Sequence, residues 1–267
     1  MGKRNTSSCI AALAMTIVIL ALPTKVYAGW GIGMDASYWK MDADDFKTDM
    51  KYNTGDPYYA GKITQGTINP DVNFFYEYPL KEDWLLGTSL GFGKVASVKY
   101  AVAYIDTTEP DNSFTAVLEN KASVIPLEIY GKYKKEKLNI TGGLGLNYFI
   151  MKTEMSGADS SGLIKGDFKK NKIVPNISVG GEYFIGENFS LGLNLKYLFS
   201  GRIEDFRGNI TGVTEKQRLV MIYDPPYGRY LTSQGVSTPL SAGDMLFGYD
   251  MSGLRINLAA RYYFGGK

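Results

Sequence analysis

At 267 residues the chain suits one large all-β domain or two average ones, and its 29 basic against 27 acidic residues leave a formal net charge of only +2. That near-balance excludes the strongly basic surface a nucleic-acid partner requires, so no nucleic acid is expected. A hydrophobic share of 45%, 20 tyrosines and 31 glycines favour aromatic-rich strands, and beyond the N-terminus no stretch approaches the roughly 20 consecutive apolar residues of a membrane-spanning helix.

The N-terminus runs from Lys3 and Arg4 through an apolar core, Ile10 to Leu22, to Val26, Tyr27 and Ala28. This order predicts a secretory signal peptide over 1–28, cleaved after Ala28, ahead of a domain over 29–267; a single membrane anchor is the alternative. Cys9 precedes the apolar core instead of closing it, so it does not stand where a lipoprotein cysteine would. The mature chain then has no cysteine and no disulfide framework, and its 26 basic and 27 acidic residues give a net charge of −1.

From Gly29 to Lys40 the residues alternate strictly: Trp30, Ile32, Met34, Ala36 and Tyr38 share one face, and Gly31, Gly33, Asp35 and Ser37 the other. Seven more segments repeat the pattern. Their apolar faces run over Ile68–Tyr78, Trp84–Phe92, Ile125–Tyr133, Leu138–Ile150, Ile173–Tyr183, Phe189–Phe199 and Leu254–Phe264. None of the apolar-face positions is charged, although 21% of the whole chain is. Lipid enforces such a rule, because a charge on the lipid face near the midplane costs roughly 2–4 kcal/mol. Each segment also reaches the roughly 9–11 residues that cross the hydrocarbon core at a tilt.

The connections alternate in length. Pro79 to Asp83, Lys134 to Lys137 and Phe184 to Asn188 read as tight turns, bracketed by aromatic or apolar residues such as Tyr78 and Trp84. Met41 to Thr67, Lys94 to Ser123, Met151 to Lys172 and Gly201 to Asp250 read as long polar loops. The fold expected is therefore an all-β, eight-stranded antiparallel up-and-down transmembrane β-barrel with long extracellular loops and both ends periplasmic. Val98 to Tyr104 and Phe114 to Leu118, around the turn at Glu109 to Ser113, predict a hairpin projecting above the membrane. Arg218 to Tyr223, followed by Asp224 to Gly228, predicts a second; if these segments crossed the bilayer the count would be ten.

The polar face carries Gly31, Gly33, Gly87, Gly91, Gly93, Gly143, Gly145, Gly180 and Gly192. An eight-stranded barrel is just wide enough inside for side chains, so the small residues belong there; a soluble lipocalin-like barrel would reverse the faces. The same inward phase gathers Asp35, Glu77, Glu128 and Glu182 with Lys132, Lys196, Arg255 and Arg261. These four acids and four bases are expected to pair, leaving the lumen plugged or only narrowly open.

Histidine is absent, which removes the imidazole base of nucleophilic triads and the commonest metal ligand; no enzyme activity and no cofactor are expected. Asp42, Asp44 and Asp45 cluster in the first long loop, where a solvated run is the expectation ahead of catalysis or calcium binding.

The leader, the eight amphipathic segments and the hairpin from Gly181 to Leu198 resemble the small outer-membrane barrels of the OmpA and OmpW type. Asn257, Tyr262 and Phe264 in the last segment resemble the signal that such proteins offer to the barrel-assembly machinery. The resemblance implies a cell outer membrane location and contact with outer-membrane lipid and lipopolysaccharide; the periplasmic peptidoglycan-binding domain of the longer members is not expected here, and a monomer is expected. Its functional expectations are an envelope-structural or surface-interaction role, or a narrow porin-like channel for small or hydrophobic solutes.

Overall fold

The computed structural model describes residues 29–39, 41–53, 59–105, 108, 113–159, 162–225 and 228–264. The expected signal peptide, Lys40 and most of the turn at 109–113 lie outside them. Fifteen strands and one helix follow in the order β1 (Gly29–Tyr38), α1 (Asp44–Asn53), β2 (Tyr59–Gln65), β3 (Ile68–Lys81), β4 (Trp84–Tyr104), β5 (Phe114–Lys135), β6 (Leu138–Asp159), β7 (Gly162–Phe184), β8 (Phe189–Leu198), β9 (Arg202–Glu204), β10 (Arg207–Ile210), β11 (Gln217–Asp224), β12 (Gly228–Gly235), β13 (Met245–Leu246), β14 (Gly248–Asp250) and β15 (Gly253–Phe264).

Eight of these strands close a ring. Each neighbour in the order β1, β3, β4, β5, β6, β7, β8, β15 pairs antiparallel with the next, and β15 pairs back onto β1 from Tyr38↔Ile256 to Trp30↔Phe264. Each of the eight contains one of the segments expected from alternation. The outward phase is the expected one: Leu144 is 67% exposed and Leu193 51%, on a belt that also carries Met34, Phe74, Ile177 and Leu258. At the short-turn end Trp30 stacks 4.5 Å from Phe264, and Trp84 lies 5.1 Å from Tyr133, placing aromatic rings at one border of the belt.

The wall is uneven. β1, β8 and β15 have 10, 10 and 12 residues, close to what a bilayer needs, whereas β4, β5, β6 and β7 have 21 to 23. At about 3.3 Å per residue the long strands extend tens of ångströms past the short ones. They form a standing sheet that β10, β11 and β12 continue sideways from β7. The expected hairpins are present as Tyr104↔Phe114 and Asp224↔Gly228; neither adds a ninth or tenth strand to the ring.

Two expected loops are corrected. Residues 151–172 continue the β6–β7 ladder to Asp159↔Gly162, because the outward side there is charged while Met151 and Phe168 are buried within. The first long loop folds into α1 and β2, the latter pairing with β4. α1 has Asp44 and Asp45 in its first turn and Lys51 in its last, matching the helix dipole, and it buries Phe46 completely. Irregular pairing between Val95 and Val98 switches the phase of β4, so Val98 and Tyr100 turn inward and their apolar side chains join the core.

Leu144 lies midway along the membrane-crossing part of β6. Leu144→Arg is expected to cost roughly 2–4 kcal/mol in denaturant titrations of the protein refolded into lipid vesicles. An unchanged transition would place this side chain away from hydrocarbon.

Candidate functional site

The inward phase of the ring builds a layered lumen. Nearest the short turns, Lys132 is 0% exposed and pairs with Glu77 and with Glu182, the latter at 2.6 Å. Its ammonium also donates to the Tyr263 hydroxyl at 2.7 Å, and Tyr263 donates to Glu182 at 2.6 Å. Tyr130 donates to Glu77 at 2.9 Å, and Ser190 donates to Glu182. Both oxygens of Glu182 and Oε1 of Glu77 thus accept donors, which is what a buried ion pair needs to repay its desolvation.

In the next layer Lys196 pairs with Glu128 at 3.0 Å, Ser178 donates to Glu128, and Asn73 donates to Asp35 at 3.2 Å. Lys196, Glu128, Ser178 and Asp35 line a cavity of about 20 Å³ together with Arg261 and Asn257, room for about one water. The small residues on this face are required by close approach. A Cβ on Gly87 would overlap the Tyr130 ring, and one on Gly31 the Phe75 ring.

Ionic pairing covers only part of the expected set. Lys132 and Lys196 hold Glu77, Glu182 and Glu128, but Arg255 and Arg261 make no ion pair within 4.0 Å among the described residues. Arg255 instead lies over the Trp39 ring, 3.9 Å from its centroid, and Arg261 lies 5.4 Å from Phe75 and 5.6 Å from Tyr130. Lys132 also lies over the Tyr263 and Tyr130 rings, at 5.2 and 5.9 Å. The arginines differ in having aromatic faces without a carboxylate within ion-pair reach among the described residues, an arrangement a flat guanidinium suits. Asp71, opposite Asp35 in the β1–β3 register, is a further acid of this face. Asp71, Tyr130 and Tyr263 share the residue parity of Glu77, Lys132 and Arg261 on their strands, so the phase that found those charges could have found these three.

Above the charges the lumen is closed by apolar packing. Phe46 of α1 stacks 5.0 Å from Tyr100 and lies 5.2 Å from Phe247, while Phe206 and Tyr249 complete the cluster. β9 and β14, paired with each other, bring Phe206 and Phe247 over the barrel mouth.

The acid cluster expected to be solvated divides. Asp42 and Asp44 stay exposed and pair with Lys47 at 3.2 and 2.7 Å, but Asp45 is buried against Arg202 and accepts the Gly248 N–H at 2.8 Å. The correction follows from helix geometry: Asp45, Phe46, Asp49 and Met50 fall on the face that α1 turns to the core. Asp49 accepts from Tyr100 and from the Leu231 N–H at 2.6 Å, so its two oxygens tie α1 to β4 and β12. No local sequence signal marks this contact, since Leu231 is 182 residues away.

A second cavity, of about 560 Å³, opens beside α1 between β5 and β12. Val102, Phe114, Leu118, Met155, Ile164 and Leu231 line it, with Tyr59, Tyr100 and Asp49 supplying its polar groups. In the last strand, Tyr262 and Phe264 of the expected assembly signal face outward, their rings 5.2 Å apart, whereas Asn257 is buried in the lumen opposite Ser37 and Asn194.

A closed antiparallel ring with an apolar belt, an aromatic border and a packed ionic lumen defines an integral outer-membrane β-barrel protein. The chain belongs to the family of the outer membrane protein beta-barrel domain, whose family model matches residues 9–215. It is similar in structure to a major outer membrane protein from Thermus thermophilus, at 13% identity over 90% of this chain and 100% of that one, with a TM-score of 0.43. It is also similar to the outer membrane protease OmpT from Escherichia coli (10% identity, 89% and 96% covered, TM-score 0.42) and to the outer membrane protein OprG from Pseudomonas aeruginosa (12%, 90% and 95%, 0.33). Among curated proteins no relative matches.

Lys132→Met would leave Glu77 and Glu182 buried without their cation and is expected to cost about 3–5 kcal/mol, read as a lower denaturant midpoint with the barrel still forming. A second expectation concerns pH. Burial raises the carboxyls of Asp45 and Asp49 above their ordinary 3.8, against the pull of Arg202 and Gly248 on the first and of Tyr100 and Leu231 on the second. A docked α1 therefore holds protons that an undocked one releases, so docking is firmest in acid and weakens as pH rises through the raised values. Hydrogen exchange over 44–53, corrected for the intrinsic rate, should show protection falling with pH; constant protection would contradict it.

Proposed function

We propose that the protein is a closed, non-enzymatic barrel whose working part is its long-loop end, read as extracellular, in an envelope-structural and surface-interaction role. The observation that carries this is the lumen: an ionic layer around a fully buried lysine, a cavity with room for about one water, and an aromatic seal above it. A solute path along the barrel axis would have to break buried ion pairs and unpack Phe46, Tyr100 and Phe247 together. The lack of histidine supports the absence of catalysis. Export through a cleaved signal peptide, insertion by the barrel-assembly machinery through the outward aromatics of β15, and a monomeric state belong to the same reading.

The apolar 560 Å³ cavity favours a second reading, uptake of small apolar solutes by a route that begins beside α1. Planar-bilayer recording and liposome uptake separate the two. The closed reading expects no stable single-channel conductance and no entry of ions, sugars or small aromatic solutes. Selective entry of apolar solutes without ion conductance would establish the second reading, and large stable conductance would sink both.

A further inference from the structure

The outer surface of the standing sheet carries a row of cations. Lys121 of β5, Lys152 of β6, Lys169 of β7 and Arg207 of β10 are directly opposite one another in successive ladders. Like charges in register repel, so a row of this kind needs counter-charge. One outward step further from the ring, Glu119, Glu154 and Asp167 form a parallel row of acids. Toward β5 the two rows compensate. Lys121 lies 2.7 Å from Glu154, and Lys152 lies 2.7 Å from Glu154 and 3.1 Å from Asp167. Lys121 and Lys152 hold the Glu154 carboxyl down at about 2, so Glu154 stays ionised and keeps those two lysines occupied.

Toward β10 the compensation is partial: Arg207 is closed on Asp205 through Nε and Nη2, both at 2.7 Å, and the lysines beside it are left with longer contacts. Lys169 is 69% exposed on its side chain and reaches Asp167 only at 3.9 Å, and Lys170 reaches Asp205 only at 3.9 Å. Here a recess of about 610 Å³ is lined by Lys169, Lys170, Arg207 and Lys216 against two acids, Asp167 and Asp205. Its position has a structural cause. On this edge β7 pairs with β10 up to Lys169 and with β8 only from Asn176, leaving a notch in the wall between.

The notch sits at the rim of the lipid belt. The next outward residues of β7 toward the ring are Asn171, which donates to the Tyr148 hydroxyl at 2.9 Å, and then exposed Ile173. Lys169 and Ile173 are four residues apart, about 13 Å along the strand and about 9 Å in depth at a tilt of about 45°, enough to carry the chain from hydrocarbon past the headgroup level. The cationic row is the nearer of the two rows to this belt, and the acids stand farther out.

We infer that this notch binds the phosphate groups of a phosphorylated glycolipid of the outer leaflet, lipopolysaccharide. The inference rests on the reading of the long-loop end as extracellular. Lys169, Lys170 and Lys216 supply point charges for the phosphate oxygens while the Arg207 fork stays on Asp205; Asn171 and Asn209 offer amides to a sugar. The recess is several times larger than a phosphate ion, which suits a sugar phosphate entering from the side while its acyl chains lie on Ile173 and Ile177.

The test uses the full folded chain in detergent micelles, with the temperature at which its heat-resistant gel band converts as the readout. Bis-phosphorylated lipid A should raise that temperature, and dephosphorylated lipid A should not. Lys169→Gln with Lys216→Gln should weaken the effect about tenfold, the loss expected from charge-assisted contacts to phosphate. Lys134→Gln with Lys135→Gln, at the opposite end of the barrel, should leave it unchanged. The charge-keeping pair Lys169→Arg with Lys216→Arg should retain binding, guarding against loss through misfolding. Equal action of dephosphorylated lipid A, unaltered binding by the glutamine pair, or saturation by inorganic phosphate without preference for lipid would each overturn the inference. Conductance of the same preparation reports separately on barrel closure, so a leaky protein that still binds lipid A would sink the closed-barrel reading alone.

Discussion

Hydrocarbon offers no hydrogen-bonding partner, so each backbone N–H and C=O in the membrane must be satisfied by the protein itself. The seam between β1 and β15 meets this demand, since nine consecutive register pairs there turn a sheet with two exposed edges into a ring with none. Closing with only eight strands then dictates the interior, which has little more than the width of its own side chains. Glycines clear space for Tyr130 and Phe75, and charges that would be solvated in a wide pore are forced into contact.

The interior meets that demand in two chemically different ways. Lys132 is placed where two carboxylates and a phenol surround its compact ammonium, Lys196 lies against Glu128, and the arginines lie where aromatic faces receive a flat guanidinium. Above them the chemistry changes from ionic to apolar, and the seal is made by aromatic rings drawn from α1, β4 and the segments around β9 and β14. A buried ionic layer is weak as a source of net stability but costly to disrupt one partner at a time. The apolar seal adds burial that does not depend on ionisation. Together they make the lumen a packed core.

Alternation made the eight crossing segments legible, because lipid imposes one rule on every outward position inside the membrane. The same rule hid what lies above the membrane. Where β6 and β7 leave the lipid, the outer face meets water and the inner face meets the apolar seal, so hydrophobicity changes sides without a break in the strand. Residues 151–172 therefore read as a polar loop although Met151, Phe168 and Lys169 continue the alternation in opposite phase. α1 was obscured for another reason: its buried face includes Asp45 and Asp49, whose partners Arg202 and Leu231 arrive from the far end of the chain. Among the lumen charges, parity gave the side of the wall on which each residue sits, but it carried no information on which neighbour each would meet. Arg255 and Arg261 show that limit.

The Lys132 cluster draws its members from four separate strands: Glu77 on β3, the cation on β5, Glu182 on β7 and Tyr263 on β15. No hairpin taken alone holds more than one of these groups, so a half-built sheet in the bilayer would expose a bare ammonium and bare carboxylates with nothing to neutralise them. Insertion and ring formation are thereby coupled into one event, and stalled intermediates are the species the membrane tolerates least.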